Sequence, residues 1–230
     1  MKVIGKKYFV GVALAGLFAA GVGLTANAQS SSSLLVTWRA DAYAPSSFRG
    51  KVLPPRGGSV TATVDLLVNG KPADLSNREI RWFVDNELHQ SGRNLKRFTF
   101  AVPIQNPDEV TVKAVVMETL RGNIERTILI PVSSPSIVID VPTEGGYIPA
   151  ASIAARALPY FFSIEKPDDL LFEWSANGSR AGNETGTPSS SITLDTSGGI
   201  SGNTVTLGVR AVNPSAAIES AQSSVTLRIR

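Results

Sequence analysis

Segments in which apolar and polar residues alternate make up most of the chain after about residue 34. In SVTATVDLLV (59–68) every second residue is apolar, and EVTVKAVV (109–116) shows the same pattern. A period of two is typical of β-strands that bury one face. The other predicted strands cover 34–43, 79–84, 97–102, 125–132, 136–141, 152–164, 170–176, 191–195, 203–212 and 223–230. Gly, Pro and Asn separate these short strands, as they do in β-sandwiches, so we predict an all-β protein.

Two of the predicted strands carry a tryptophan shortly before a polar turn. Trp82 precedes Val112 on a later strand by 30 residues, and Trp174 precedes Val205 by 31 residues. Matched spacing of this kind indicates that one fold is used twice. The neighbours on the same strand face as each tryptophan are apolar, so both indole rings are expected to be core residues that join the two sheets of a sandwich. Trp38, on the first strand, is expected to be a core residue as well.

The tryptophan strand, the polar turn after it and the later strands with V-x-V-x-V alternation resemble bacterial extracellular immunoglobulin-like domains, including their PKD-like and cadherin-like relatives. The resemblance covers about 34–230 as architecture. It implies two tandem immunoglobulin-like β-sandwiches that serve spacing, adhesion or assembly at a surface, with no catalytic residues to carry over. The chain has no cysteine, so the disulfide that accompanies the tryptophan in antibody domains is absent.

The first 28 residues have the pattern of an export signal. Three lysines precede an uncharged apolar stretch that ends at the A-x-A sequence 26–28, which is typical of a cleavage site. An uncleaved membrane anchor is the alternative, since about 18 apolar residues are just enough to span a bilayer. We therefore predict a signal or anchor helix at 1–28, a first sandwich at 29–134 and a second at 135–230, joined by a Ser/Pro linker. The protein is expected to be exported, to the periplasm, the cell surface or the medium.

The predicted signal also accounts for the net charge of +3 that the full chain carries. Three of the 22 Lys and Arg residues and none of the 19 Asp and Glu residues lie in 1–28, so the remainder has no net charge. A basic surface for nucleic acid is therefore not expected. Contact with a membrane is expected only through 1–28, if that segment is not cleaved.

Two stretches contain more aromatic or basic residues than the core and turns of a sandwich require. The first, 43–54, combines aromatic and basic residues with prolines, and the second, 156–164, has three aromatic residues in a row. Consecutive residues of a strand point to opposite faces, so at least one of the three aromatic side chains is expected to leave the core of its own sandwich. It would contact a partner, a loop or the neighbouring sandwich. The candidate partner-binding residues are Tyr43, Phe48, Arg49, Tyr160, Phe161 and Phe162.

Catalytic and metal chemistry have weaker support. His89 is the only histidine; it is expected at an exposed hairpin end, and no G-x-S-x-G motif accompanies it. Calcium at the domain junction stays open, because Asp108 and Glu109 precede a strand while Asp140 and Glu144 follow the linker. No metal site and no cofactor is predicted.

These observations favour a non-catalytic protein of the cell envelope or the extracellular space. Its immunoglobulin-like modules would provide spacing, adhesion or protein–protein interaction, and its partner would be another envelope or extracellular protein. Two alternatives stay open: an accessory subunit of a surface appendage or secretion system, and a carbohydrate-binding module. The first alternative requires an incomplete sandwich, and the second requires Trp38 or Tyr43 on a flat, exposed face.

Overall fold

The computed structural model describes residues 31–105, 108–117, 122–181 and 189–230. The predicted signal or anchor at 1–28 lies outside these residues. Ser31–Arg230 forms one compact unit. It consists of β-strands and one short 3₁₀ turn, Pro167–Asp169, in the described part. Within the same residues, no helix is long and apolar enough to cross a membrane.

The first half of the described chain forms a sandwich of two antiparallel sheets. Its strands are β1 (Ser32–Asp41), β2 (Ser59–Val68), β3 (Lys71–Ala73), β4 (Glu79–Val84), β5 (Glu87–Arg93), β6 (Arg97–Ala101), β7 (Glu109–Val116) and β8 (Ile124–Pro131). One sheet has β2 at its centre, with β1 on one side and β6 and β3 on the other. The other sheet has the order β5-β4-β7-β8.

The second half repeats this arrangement. Its strands are β9 (Ser136–Asp140), β10 (Tyr147–Ile148), β11 (Ser152–Tyr160), β12 (Leu171–Ala176), β13 (Ser179–Ala181), β14 (Ser191–Asp195), β15 (Thr204–Val212) and β16 (Ser220–Ile229). One sheet has the order β9-β11-β14, which matches β1-β2-β6. The other contains β13-β12-β15-β16, which matches β5-β4-β7-β8, and β10 joins its edge in parallel with β16. The protein therefore has two tandem immunoglobulin-like β-sandwiches.

Each sandwich has its own hydrophobic core with a tryptophan in the same position. Trp82 on β4 is 0% exposed and Trp174 on β12 is 6% exposed. Each indole N–H donates a 2.9 Å hydrogen bond to a main-chain carbonyl, that of Leu95 in the first sandwich and that of Ser189 in the second. In both copies the ring therefore fills the core while its polar atom has a partner, which a buried indole requires.

The turn that follows each tryptophan strand is also the same in both copies. Asp85 and Asn177 have left-handed backbone φ angles of 48° and 50°. Their Oδ1 atoms accept hydrogen bonds from the amides of Thr111 (3.0 Å) and Thr206 (2.9 Å) on the neighbouring strand. Asp and Asn are suited to this position, because their short polar side chains tolerate the left-handed conformation and bond to nearby main chain.

His89 lies in a different place from the predicted one. The hairpin turn after β4 consists of Asp85 and Asn86, and both have positive φ. His89 follows in the returning edge strand β5. Its ring centroid is 6.1 Å from that of Phe98. The expectation of a histidine at the hairpin tip is wrong, because the two left-handed residues close the turn three positions earlier.

The matched turns provide a stability prediction. Asp85→Ala and Asn177→Ala should each lower the free energy of unfolding by about 1 kcal/mol, because a hydrogen bond and a residue suited to the left-handed conformation are lost together. Asp85→Asn is the matched control. It should lower the free energy of unfolding by only a small fraction of that amount, since Asn occupies the equivalent turn of the second sandwich. Urea denaturation measures all three variants. Equal losses for Asp85→Ala and Asp85→Asn would contradict the assigned role.

Candidate interaction site at the junction of the sandwiches

The two sandwiches are connected by main-chain hydrogen bonds as well as by the linker. The amide of Tyr43 donates to the carbonyl of Phe162 (2.8 Å), and the amide of Phe161 donates to the carbonyl of Tyr43 (2.7 Å). This is an isolated antiparallel β-bridge between the loop after β1 and the segment after β11. At the end of the first sandwich, the amide of Ser133 donates to the carbonyl of Pro54 (3.0 Å), which fixes the start of the linker on the same loop.

Aromatic rings pack across this bridge. Phe48 contacts Tyr160 and Phe161 edge to face, with centroid separations of 5.8 Å and 5.7 Å and interplanar angles of 76° and 82°. All three side chains are half-buried. Edge-to-face pairs of this kind stabilise by about 0.5–1.5 kcal/mol each beyond the effect of area burial. The contacts therefore favour one relative arrangement of the two sandwiches.

Phe161 has a backbone conformation that an aromatic residue rarely adopts. Its φ angle is +61°, where the side chain of an L-residue is crowded by its own carbonyl group, at a cost of about 1–2 kcal/mol. The hydrogen bond to Tyr43 and the contact with Phe48 offset this cost. The strand that the sequence predicts to continue to residue 164 ends at Tyr160 because the chain turns here to meet the first sandwich.

The structure brings the two predicted binding stretches together instead of presenting them separately. Tyr43 and Phe48 from the first stretch contact Tyr160, Phe161 or the adjacent main chain of the second. Phe162 is 0% exposed and belongs to the core of the second sandwich. The expectation that Phe162 contacts a partner is therefore wrong. Its side chain lies in the core of the second sandwich, whereas that of Phe161 contacts Phe48.

Arg49 and Lys51 lie at the border of this junction in different environments. Arg49, next to Phe48, is exposed. The Nζ atom of Lys51 lies 3.9 Å from the ring centroid of Trp38, a cation–π contact that covers the indole. Trp38 is half-buried and packs against the first core. Tyr43, the other residue whose exposure the carbohydrate-binding alternative requires, is half-buried as well.

A buried carboxylate supports the second side of the junction. Glu219 is 1% exposed, and its Oε2 accepts hydrogen bonds from the amide of Ser163 (2.8 Å) and from Nδ2 of Asn213 (3.0 Å). Charged side chains are rarely buried without such partners, because desolvation is costly. Glu219 thus joins the loop between β15 and β16 to the segment that carries the aromatic bridge. In the sequence it lies in a polar loop, and no local pattern distinguishes it.

Three acidic side chains outside the junction bond to neighbouring groups. Hydrogen bonds from the hydroxyl and amide of Ser76 lower the pKa of Asp74, and those from the amide and hydroxyl of Ser197 lower the pKa of Asp195. Glu144, one of the acids considered for calcium, forms an exposed ion pair with Arg230 (2.9 Å). No group of three His, Cys, Asp or Glu side chains is placed to hold a metal ion among the residues that the structure describes.

Comparison with known proteins gives no family assignment. No family model matches the chain, and no curated protein matches it. Solved structures align over most of its length. Three N-terminal domains of the Highly Immunogenic Outer Capsid protein (Hoc) of bacteriophage RB49 are 15% identical over 86% of this chain and 59% of that one, with a TM-score of 0.45. The mouse nectin-like molecule 4 ectodomain (Ig1–Ig3) is 13% identical over 87% and 65%, with a TM-score of 0.33.

A bacterial ice-binding adhesin also aligns, with 12% identity over 86% of this chain and 65% of that one and a TM-score of 0.30. The chain thus spans about three fifths to two thirds of the length of these structures. TM-scores this low do not by themselves support a fold assignment. The assignment depends on the strand order and register of the protein itself, which are those of tandem immunoglobulin-like sandwiches.

Proposed function

We propose that the protein is a non-catalytic, exported module of the cell envelope or extracellular space that holds protein-binding surfaces in a fixed arrangement. The observation that carries this proposal is the ordered junction, in which a β-bridge at Tyr43 and Phe162 and the rings around Phe48 connect the sandwiches. A flexible tether needs no such contacts. Export is supported by the sequence pattern of 1–28.

The same structure disfavours a subunit that is completed by a strand from a neighbour. Each sandwich contains its own final strand, β8 in the first and β16 in the second, and each of these strands pairs along its length with the strand before it. A sandwich that required a donated strand would leave that position open. An interaction module therefore accounts for the architecture better than a donor-strand subunit.

Crosslinking in the native host followed by mass spectrometry tests the proposed function. Crosslinks between this protein and a defined envelope or extracellular protein are expected. Recovery of the protein only as an uncrosslinked monomer, at expression levels where a known envelope complex crosslinks in the same sample, would refute the proposal.

The ordered junction has a consequence that can be measured separately. Phe48→Ala should broaden the distribution of distances between the two sandwiches, because it removes both edge-to-face contacts at the bridge. The chain has no cysteine, so spin labels can be placed at Thr127→Cys and Ser224→Cys, two exposed positions, one in each sandwich. Double electron–electron resonance then reports the distribution directly.

Phe83→Ala is the matched control for that measurement. Phe83 is a half-buried phenylalanine of β4 that contacts Lys113. Its removal should leave the distance distribution unchanged. A broad distribution in the parent protein, or equal broadening in both variants, would show that the aromatic contacts do not fix the arrangement.

A further inference from the structure

We propose that a groove crossing the junction is a docking site for a protein segment that presents Arg or Lys beside an apolar residue. The residues that line the groove include Gly57, Gly58 and Ser59 of the first sandwich. Ile104 of the first sandwich and Ile218 of the second flank Gly57. The proposal builds on the proposed function, because it locates one binding surface of the module and specifies the chemistry of its partner.

The two isoleucines are both well exposed. Ile104 is 60% exposed and Ile218 is 56% exposed. A Cβ atom built on Gly57 would lie 3.6 Å from Cδ1 of Ile218 and 3.7 Å from Cγ1 of Ile104. The side chains thus converge on one point from different sandwiches. Single exposed apolar residues need no explanation, but a pair that meets over a glycine at a junction forms a small apolar contact surface.

The charge of the groove indicates which partner chemistry suits it. Its volume is about 620 Å³, and the residues that line it include Asp41, Glu165 and Asp169 but no Lys or Arg. Asp169 accepts hydrogen bonds from the amides of Glu165 and Lys166, which holds its carboxylate in place. A basic side chain entering the groove would meet acidic groups from both sandwiches, and this complementarity selects basic over acidic partners.

Both sides of the groove are held in place before any partner binds. Gly57 adopts a left-handed φ of 76°, and its amide donates to the carbonyl of Val102 (3.0 Å). On the other side, Ile218 directly precedes Glu219, whose buried carboxylate fixes the loop. A surface that is ordered in advance loses less conformational entropy on binding, which favours affinity.

A pair of defined peptides tests the proposal. The probe is acetyl-Leu-Arg-Leu-Arg-Leu-amide, and acetyl-Leu-Glu-Leu-Glu-Leu-amide is its acidic counterpart. Titration into the ¹⁵N-labelled full chain is expected to shift the amide resonances of Gly57, Gly58 and Ser59 with the basic peptide only. The double variant Ile104→Ser/Ile218→Ser should weaken binding about tenfold, because two apolar contacts are lost.

The matched control is Leu88→Ser/Leu129→Ser, which removes two leucines that are each 55% exposed on the first sandwich. This variant should bind the basic peptide as the parent does. Equal binding of both peptides, or shifts centred on β4 and β5, would overturn the proposal. In the native host, unchanged partner crosslinks for Ile104→Ser/Ile218→Ser would refute the groove while leaving the proposed function intact; absence of crosslinks in the parent would refute the proposed function itself.

Discussion

Trp82→Ala is expected to lower the stability of the first sandwich by about 3–5 kcal/mol, the range measured for truncation of large buried aromatic residues. The ring is 0% exposed and stacks on Phe98 at a centroid distance of 5.5 Å. Its loss creates a cavity between the sheets and leaves the carbonyl of Leu95 without its indole donor. A loss of this size is comparable to the whole stability of many domains.

Unfolding in guanidinium chloride, followed by tryptophan fluorescence and circular dichroism, measures the effect. Trp82→Phe keeps most of the packing and remains measurable if the alanine variant does not fold; we expect it to cost about 1–3 kcal/mol, for the smaller ring and the lost N–H. Leu88→Ala, at a 55% exposed position, is the surface control and should change stability by less than about 0.5 kcal/mol. A similar small effect for Trp82→Phe and Trp82→Ala would show that the ring does not support the core.

Glu219→Ala is expected to cost about 2–3 kcal/mol, because buried donors lose a charged acceptor. The amide of Ser163 and Nδ2 of Asn213 would both lose their bond to the carboxylate. Since Ser163 follows the aromatic bridge directly, we also expect its amide to exchange with solvent more rapidly. Urea denaturation gives the change in stability, and hydrogen exchange measured by NMR gives the local effect.

Glu219→Gln separates hydrogen bonding from charge. The amide oxygen of Gln can still accept from Ser163, so this variant should retain most of the protection of that amide and lose less stability than Glu219→Ala. Glu173→Ala is a control at an exposed carboxylate, whose ion pair with Arg210 (3.4 Å) is open to solvent and contributes little. If Ser163 exchanges at the parental rate in Glu219→Ala, the carboxylate does not order the junction.

The sequence predicted the long strands well because each one buries a single face. The predicted bounds 59–68, 79–84 and 109–116 are those of β2, β4 and β7. Alternation fails where a strand has no buried face. All of β5 is exposed or nearly so, and the short strands β3 and β13 likewise contain no fully buried residue, so local pattern could not identify them.

The sequence indicated which types of residue belong to the candidate site, but it did not indicate where their side chains lie. Aromatic and basic residues marked the two stretches that meet at the junction, yet nothing local shows that Phe48 packs on Tyr160 and Phe161. Phe162 has the same side-chain chemistry as Phe161. The left-handed turn at Phe161 decides which of the two enters the core, and that turn depends on the hydrogen bond to Tyr43 in the other sandwich.

The sequence by itself determined the all-β class and the repeated tryptophan strand, because alternation and spacing are local properties that one buried face per strand imposes. Only the tertiary structure decided that the two binding stretches contact each other, that the buried Glu219 accepts a hydrogen bond from Ser163, and that Ile104 and Ile218 converge on Gly57. The physical reason is that these contacts join residues that lie far apart in the sequence, and those of Tyr43 with Phe162 and of Gly57 with Ile218 join the two sandwiches. The energies of these contacts depend on how the two folded cores are placed relative to each other, and short-range sequence patterns do not encode that placement.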